Sequence, residues 1–125
     1  MDLKLELIPV PVADIDRAKT FYINQVGFIL DHDVRPSPTV RVVQLTPPGS
    51  ACSIVLGAGM SGIAMPAGSL RGLHLVVADI GQARAELIGR GMEMGEIMDL
   101  GSIKYAGFRD PDGNTWTLQQ VSSKG

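Results

Sequence analysis

The tetrapeptide Val12-Ala13-Asp14-Ile15 returns as Val77-Ala78-Asp79-Ile80, each copy standing where an alternating apolar stretch gives way to a helical one. A chain that repeats a strand-to-helix handover is built from two similar units. Ahead of the first copy, Leu3, Leu5 and Leu7 alternate with Lys4 and Glu6, the period of a strand with one buried face, predicted over 3–10. Pro9 and Pro11 limit its ladder bonding and suit an edge or a strand end. Ile15, Ala18, Tyr22 and Val26 then recur at helical spacing over 15–26, with Asp14 or Asp16 as cap and Gly27 as stop.

Three strands are predicted next, over 28–33, 40–46 and 51–57, with a hairpin loop across Pro36 and Pro38 and a turn at Pro47-Pro48-Gly49. A glycine-rich stretch with Met60 and Met65 reads as a linker or covering loop. The order then restarts. A strand over 72–78 leads to a helix over 80–90 built on Ile80, Ala83 and Leu87, followed by strands over 92–98, 103–109 and 115–121. The last two are joined by Asp110-Pro111-Asp112-Gly113-Asn114, a strong turn signal. In both copies of the tetrapeptide the aspartate reads as a helix cap rather than a catalytic group.

The expected fold class is therefore α+β, one domain over 1–125 made of two tandem βαβββ modules, 1–57 and 71–125, with a linker over 58–70. Neither module can bury its own core alone, so the sheets are expected to join around a common cavity with the helices outside. Such a cavity invites a small-molecule ligand.

The bulk properties exclude other classes. The 125 residues are 45% hydrophobic and carry a net charge of -2, an ordinary globular balance. The 11 lysines and arginines are scattered, with no basic run interleaved with aromatics, so no nucleic-acid partner is expected. No apolar run approaches membrane-spanning length, and Met-Asp-Leu-Lys-Leu-Glu-Leu lacks a signal pattern, which gives the expectation of a cytoplasmic protein with no membrane partner. The lone Cys52 rules out an intrachain disulfide. The glycines at 57, 59 and 62 are not followed by Gly-Lys-Ser or Gly-Lys-Thr, and no serine stands in a Gly-x-Ser-x-Gly elbow.

Val12, Asp14, Arg17, Ala18, Phe21, Tyr22, Gly27 and Phe28, then Gly72, Val77, Asp79 and Ile80, then Phe108-Arg109-Asp110-Pro111-Asp112-Gly113-Asn114 with Trp116 and Leu118, carry a resemblance. Together, in this order, they make the chain resemble the glyoxalase/bleomycin-resistance/dioxygenase family, also called vicinal oxygen chelate, over about residues 3 to 121. The resemblance implies a U-shaped mixed sheet around a cavity and a homodimer formed through sheet edges or module exchange. In metal-dependent members it implies ligands on inward positions near the start of each half and in its last strand. Matched by the handover motif, two of these positions fall at Leu7 and Leu73; a third falls at Ile54 or Val55, and the last, matched through Asp110-Pro111-Asp112-Gly113, at Thr117, where a glyoxalase has glutamate. At most one hydroxyl replaces four donors, so neither a metal nor another cofactor is expected.

If Leu73 faces the cavity, alternation turns His74 to the helices; with Thr117 inward, Gln119 is inward too, and Trp116 and Leu118 face away. Gln44, among Val42, Val43 and Leu45, needs a partner if buried, either a ligand or a backbone group or water. Tyr105 and Arg109 can orient a carbonyl or carboxylate, although Arg109 also suits bracing Asp110 or Asp112. The expected ligand-binding set is Gln44, Tyr105, Thr117, Gln119, Leu7 and Leu73. Two functions remain open at this level. One is metal-independent binding of an apolar or aromatic small molecule. The other is a glyoxalase-like isomerase or lyase acting on a small carbonyl compound, with Tyr105, His32 or His74 moving protons.

Overall fold

The computed structural model describes residues 1–58 and 65–121, so Met60 and much of the expected linker lie outside the described residues. The elements are β1 (Leu7–Pro9), α1 (Ile15–Thr20), a π-helical turn (Phe21–Val26), β2 (Ile29–Ser37), β3 (Val40–Thr46), β4 (Ser53–Ala58), β5 (Leu73–Val76), α2 (Ile80–Gly89), β6 (Met98–Asp99), β7 (Ile103–Arg109) and β8 (Thr115–Val121). They form two four-stranded sheets with the orders β1-β4-β3-β2 and β5-β8-β7-β6. In each, the first strand pairs in parallel with the fourth and the other pairs are antiparallel. These are the two βαβββ modules, each with its helix packed on one face of its sheet and the other face open.

The two tetrapeptide copies hold equivalent places. Asp14 caps α1 by accepting from Arg17 N at 3.1 Å, and Asp79 caps α2 by accepting from Gln82 N at 3.0 Å. The first helix ends as a π turn in which Gly27 N reaches Tyr22 O at 2.9 Å, and Gly27 has φ +91, a conformation that a side chain resists. The Arg90 guanidinium from the end of α2 lies against Gly27, where a Cβ would collide with it, and donates to Val26 O at 3.0 Å.

Several strand ends differ from the sequence expectation for local reasons. β1 is three residues long because its partner β4 starts only at Ser53, beyond the Pro47–Gly49 turn, leaving Leu3 and Leu5 unpaired and exposed. β2 runs to Ser37 through the expected loop; as an edge strand it tolerates Pro36, which needs no ladder donor there. The strand expected over 92–98 shrinks to Met98–Asp99. Met92 N instead bonds Leu87 O at 3.1 Å as the chain leaves α2, and Gly95 meets β7 through a bond to Gly107 O at 2.8 Å.

One apolar cluster takes side chains from both modules. Val43, Leu45, Ile54 and Leu56 from the first sheet join Ala106, Phe108, Trp116 and Leu118 from the second. Tyr22 and Phe28 stand in the seam, their rings 5.8 and 5.6 Å from Trp116. The Tyr22 hydroxyl donates to Asp110 Oδ2 at 2.8 Å and accepts from Trp116 Nε1 at 2.9 Å. Burial, and the Asp110 carboxylate beside it, push the Tyr22 phenol far above its usual range. Asn114 Nδ2 donates to Asp110 Oδ2 and to Pro11 O, both at 2.8 Å, while Asn114 Oδ1 accepts from Leu70 N at 3.0 Å.

Removing the hydroxyl in Tyr22→Phe leaves the buried Trp116 N–H without its acceptor and Asp110 without one donor. The expected loss is about 1–3 kcal/mol in urea unfolding. Asp110→Ala, which strips four acceptor contacts, is expected to lose more. Midpoints equal to that of an exposed control such as Gln82→Ala would show that the seam is not held this way.

Candidate functional site

Because residues in register across a ladder share a face, the open faces can be read from the pairing. On the first sheet Leu7 pairs with Ser53, and Val55 pairs with both Pro9 and Gln44. Ile54 packs in the cluster that joins the modules, whereas Val55, buried as well, shares the opposite face of the sheet with Pro9 and Gln44, which settles which of the two takes that face. On the second sheet Thr117 pairs with His74 and Gly107, and Gln119 with Val76 and Tyr105. Trp116 and Leu118 face the core, as the alternation requires.

The structure thus brings Tyr105, Thr117 and Gln119 together on one open face and puts Leu7 and Gln44 on the open face of the other sheet. Leu73 is a correction: it packs against the core, and His74 takes the open face. The reason lies in the spacing of the repeat. Asp14 and Asp79 are 65 positions apart, so the counterpart of Leu7 is Gly72, while Leu73 corresponds to Ile8. A one-residue slip reverses every side chain of a strand. At the terminal turn the bracing ion pair is made by Arg17, with Nη2 3.1 Å from Asp112 Oδ1, while Arg109 shares the open face with Thr115.

His74 Nδ1 lies 2.7 Å from Gln119 Oε1, and its ring meets that of Tyr105 edge-on at 5.9 Å. On the first sheet Asp31 shares the open face with Ile29 by alternation, and the bulge between Leu30 and His32 then shifts the parity of the strand, so that His32 pairs with Gln44 on the same face. Asp31 Oδ2 accepts from Thr46 Oγ1 at 2.5 Å and from Gln44 Nε2 at 3.3 Å, and Thr46 Oγ1 is 2.6 Å from Ser53 Oγ. Gln44 therefore has a carboxylate as partner. Nothing in the sequence signals the bulge; the position of His74 is legible once the 65-residue spacing is applied. Asp33, two residues on, belongs to the helix side, where Arg41 and Lys19 hold its carboxyl well below the usual range by hydrogen bonds.

A cleft of about 540 Å³ runs along the free edge of β5, between the Pro47–Ser50 turn, the end of the first helix and α2. Its walls are largely apolar, with Phe28, Leu75, Leu87 and Leu118, and His74 stands where it meets the open face. Glu86 and Arg90 on its rim are paired to each other at 3.1 Å.

With this geometry in hand, the comparisons with known proteins are specific. The chain matches the Glyoxalase/Bleomycin resistance protein/Dioxygenase superfamily over residues 4–118, and it belongs to that superfamily. It is similar to TnmS3, an antibiotic binding protein from Streptomyces sp. CB03234, with 38% identity and a TM-score of 0.85 over 97% of this chain and 98% of that one. A glyoxalase/bleomycin resistance protein from the same organism is also 38% identical, with a TM-score of 0.80 over 94% of this chain and 100% of that one. A superfamily member from Sphaerobacter thermophilus is 30% identical, with a TM-score of 0.77 over 95% and 98%. No curated protein matches the chain.

With the 65-residue spacing applied, the ligand positions that the resemblance implies for metal-dependent members fall at Leu7, Gly72, Val55 and Thr117. One hydroxyl among them does not make a divalent-ion site. Among the described residues no group of three or more His, Cys, Asp or Glu comes together to hold one elsewhere. Untagged protein dialysed free of metal and then exposed to zinc, nickel, manganese or iron is expected to retain less than stoichiometric metal and to show no rise in Tm. One retained equivalent per chain, lost in His74→Ala, would contradict this donor set.

Proposed function

We propose that the protein binds a small molecule with an apolar or aromatic body on the open sheet faces, without a metal ion. The observation that carries this reading is the donor set: where the family's metal enzymes place ligands, this chain presents Leu7, Gly72, Val55 and Thr117. The likeness to TnmS3, described as an antibiotic binding protein, supports the same direction. Gln44, Tyr105, Thr117 and Gln119, with Leu7 at the rim and His74 in place of Leu73, are the proposed contacts. On these faces polar groups can orient a ligand while apolar neighbours such as Leu7, Val76 and the Tyr105 ring cover its body.

A second reading, an isomerase or lyase on a small carbonyl compound, draws on one observation: His74 and Tyr105 meet on the open face and both can exchange protons. Turnover of the methylglyoxal–glutathione hemithioacetal that disappears in both His74→Ala and Tyr105→Phe would favour it. For binding, calorimetric titration of metal-free protein with 1-naphthol is the direct test. Saturable binding that survives a chelator and is abolished by Gln119→Arg is expected; no saturable heat would sink the proposal.

We infer a homodimer as the working form in a cytoplasmic setting, with neither nucleic acid nor membrane as partner. Among the described residues no helix is long and apolar enough to cross a membrane. Val76, Ile29 and Val34 lie on open faces and are 62%, 56% and 44% exposed, which offers apolar surface for a second copy to cover. Light scattering after size exclusion is expected to return twice the chain mass of 13.3 kDa at micromolar concentration. A monomeric mass, unchanged by Val76→Lys, would contradict the inference.

A further inference from the structure

The open face of the second sheet carries an imidazole whose proton is positioned by its neighbour. An amide oxygen only accepts hydrogen bonds, so with Gln119 Oε1 at 2.7 Å the His74 Nδ1 carries the hydrogen. In the neutral ring Nε2 is then left with its lone pair. Among the described residues none bonds Nε2, the side chain is exposed, and the edge-on contact with Tyr105 at 5.9 Å restrains the ring. The result is an oriented acceptor beside an aromatic surface, at the mouth of the cleft along β5.

We propose that His74 Nε2 selects ligands that carry an aromatic hydroxyl, as phenols and naphthols do. The inference rests on the binding reading above and narrows its ligand class. A carboxylate or phosphate is disfavoured, because its oxygens would meet the nitrogen lone pair. An ammonium finds no carboxylate among the described ladder positions of this face, which include Met98 opposite Tyr105 while Asp99 pairs with Lys104 on the other face. Arg109 at the end of the strand adds positive charge and disfavours a cation further. A neutral O–H donor on a flat apolar ring satisfies both constraints. It donates to Nε2 while its ring covers apolar neighbours such as Val76, which is 62% exposed.

The test compares 1-naphthol with 1-methoxynaphthalene, which keeps the rings and the oxygen but has no hydrogen to donate. In calorimetric titrations at pH 8 the wild-type protein is expected to bind 1-naphthol roughly tenfold more tightly, the worth of one added hydrogen bond. His74→Phe, which retains an aromatic ring against Tyr105, is expected to bind both probes alike. Wild-type binding of both probes with equal affinity would overturn the role of His74 while leaving the binding reading intact. Binding of neither would overturn both. Nitrogen-15 correlation spectra of the imidazole give a check that does not depend on a variant folding. Nδ1 is expected to be the protonated nitrogen in the free protein, and 1-naphthol to shift the Nε2 resonance. Protonation on Nε2 in the free neutral ring overturns the inference. Gln119→Leu releases the tautomer without touching the ring, so it is expected to narrow the preference between the two probes; a preference left at tenfold in this variant would show that Gln119 does not set it.

Discussion

The buried carboxylate of Asp110 holds the two modules to one another. Among the described residues no cation pairs with it, and hydrogen bonds satisfy it. Oδ1 accepts from the backbone N–H groups of Asp112 and Asn114 at 3.0 and 2.9 Å, and Oδ2 accepts from Tyr22 and Asn114 at 2.8 Å each. A charge taken out of water survives only where such contacts replace its hydration. Two of those contacts form the Asp110–Asn114 turn itself, and a third crosses to the first helix. Asn114 extends the network to Pro11 at the end of β1 and to Leu70 ahead of β5. The turn between the last two strands is thus where the first strand, the first helix and the second sheet are registered together. Its sequence is constrained by hydrogen-bond geometry as much as by chain reversal.

This dependence explains why the fold was legible. The period-two and helical patterns place most strands and both helices, and the repeated tetrapeptide fixes the modular order, because each rests on local rules of burial and capping. What local rules do not specify is where a partner strand begins. Leu3, Leu5 and Leu7 alternate without fault, yet only Leu7 finds a neighbour, since β4 opens at Ser53. The same holds at 92–98, where the pattern is compatible with a strand but the chain is tied to Leu87 and to Gly107 at single points.

The site was legible in part, and the limit has one cause. Thr117 and Gln119 follow from the terminal turn, which lies only a few residues away and admits no slip. The parity of β5 has to be carried over from the first module across 65 positions, and an error of one places Leu73 outward and hides His74. Asp31 is illegible for a different reason. Alternation from Ile29 puts it on the open face, but its partners Gln44 and Thr46 belong to the neighbouring strand, and the pairing that brings them to it leaves no mark in composition or period.

Alternation in the strands also separates stability from recognition. Along β8, Trp116 and Leu118 are buried in the core that joins the modules, while Thr117 and Gln119, one step away in sequence, lie half-buried on the opposite face. A substitution at an outward position changes what the face presents and leaves the seam around Asp110 unaltered. A fold arranged in this way can vary the side chains at such positions without losing its shape, because the positions that the resemblance matches to a metal site, Leu7, Gly72, Val55 and Thr117, lie outside the cluster that joins the modules. The chemistry available to this chain then depends on the side chains that share that face. His74 with Gln119 and Tyr105 on one sheet, and Asp31 with Gln44 and Thr46 on the other, are oriented by contacts to each other and not to the core. Polar groups so held keep unused hydrogen-bonding capacity directed outward, and an incoming molecule has to match it.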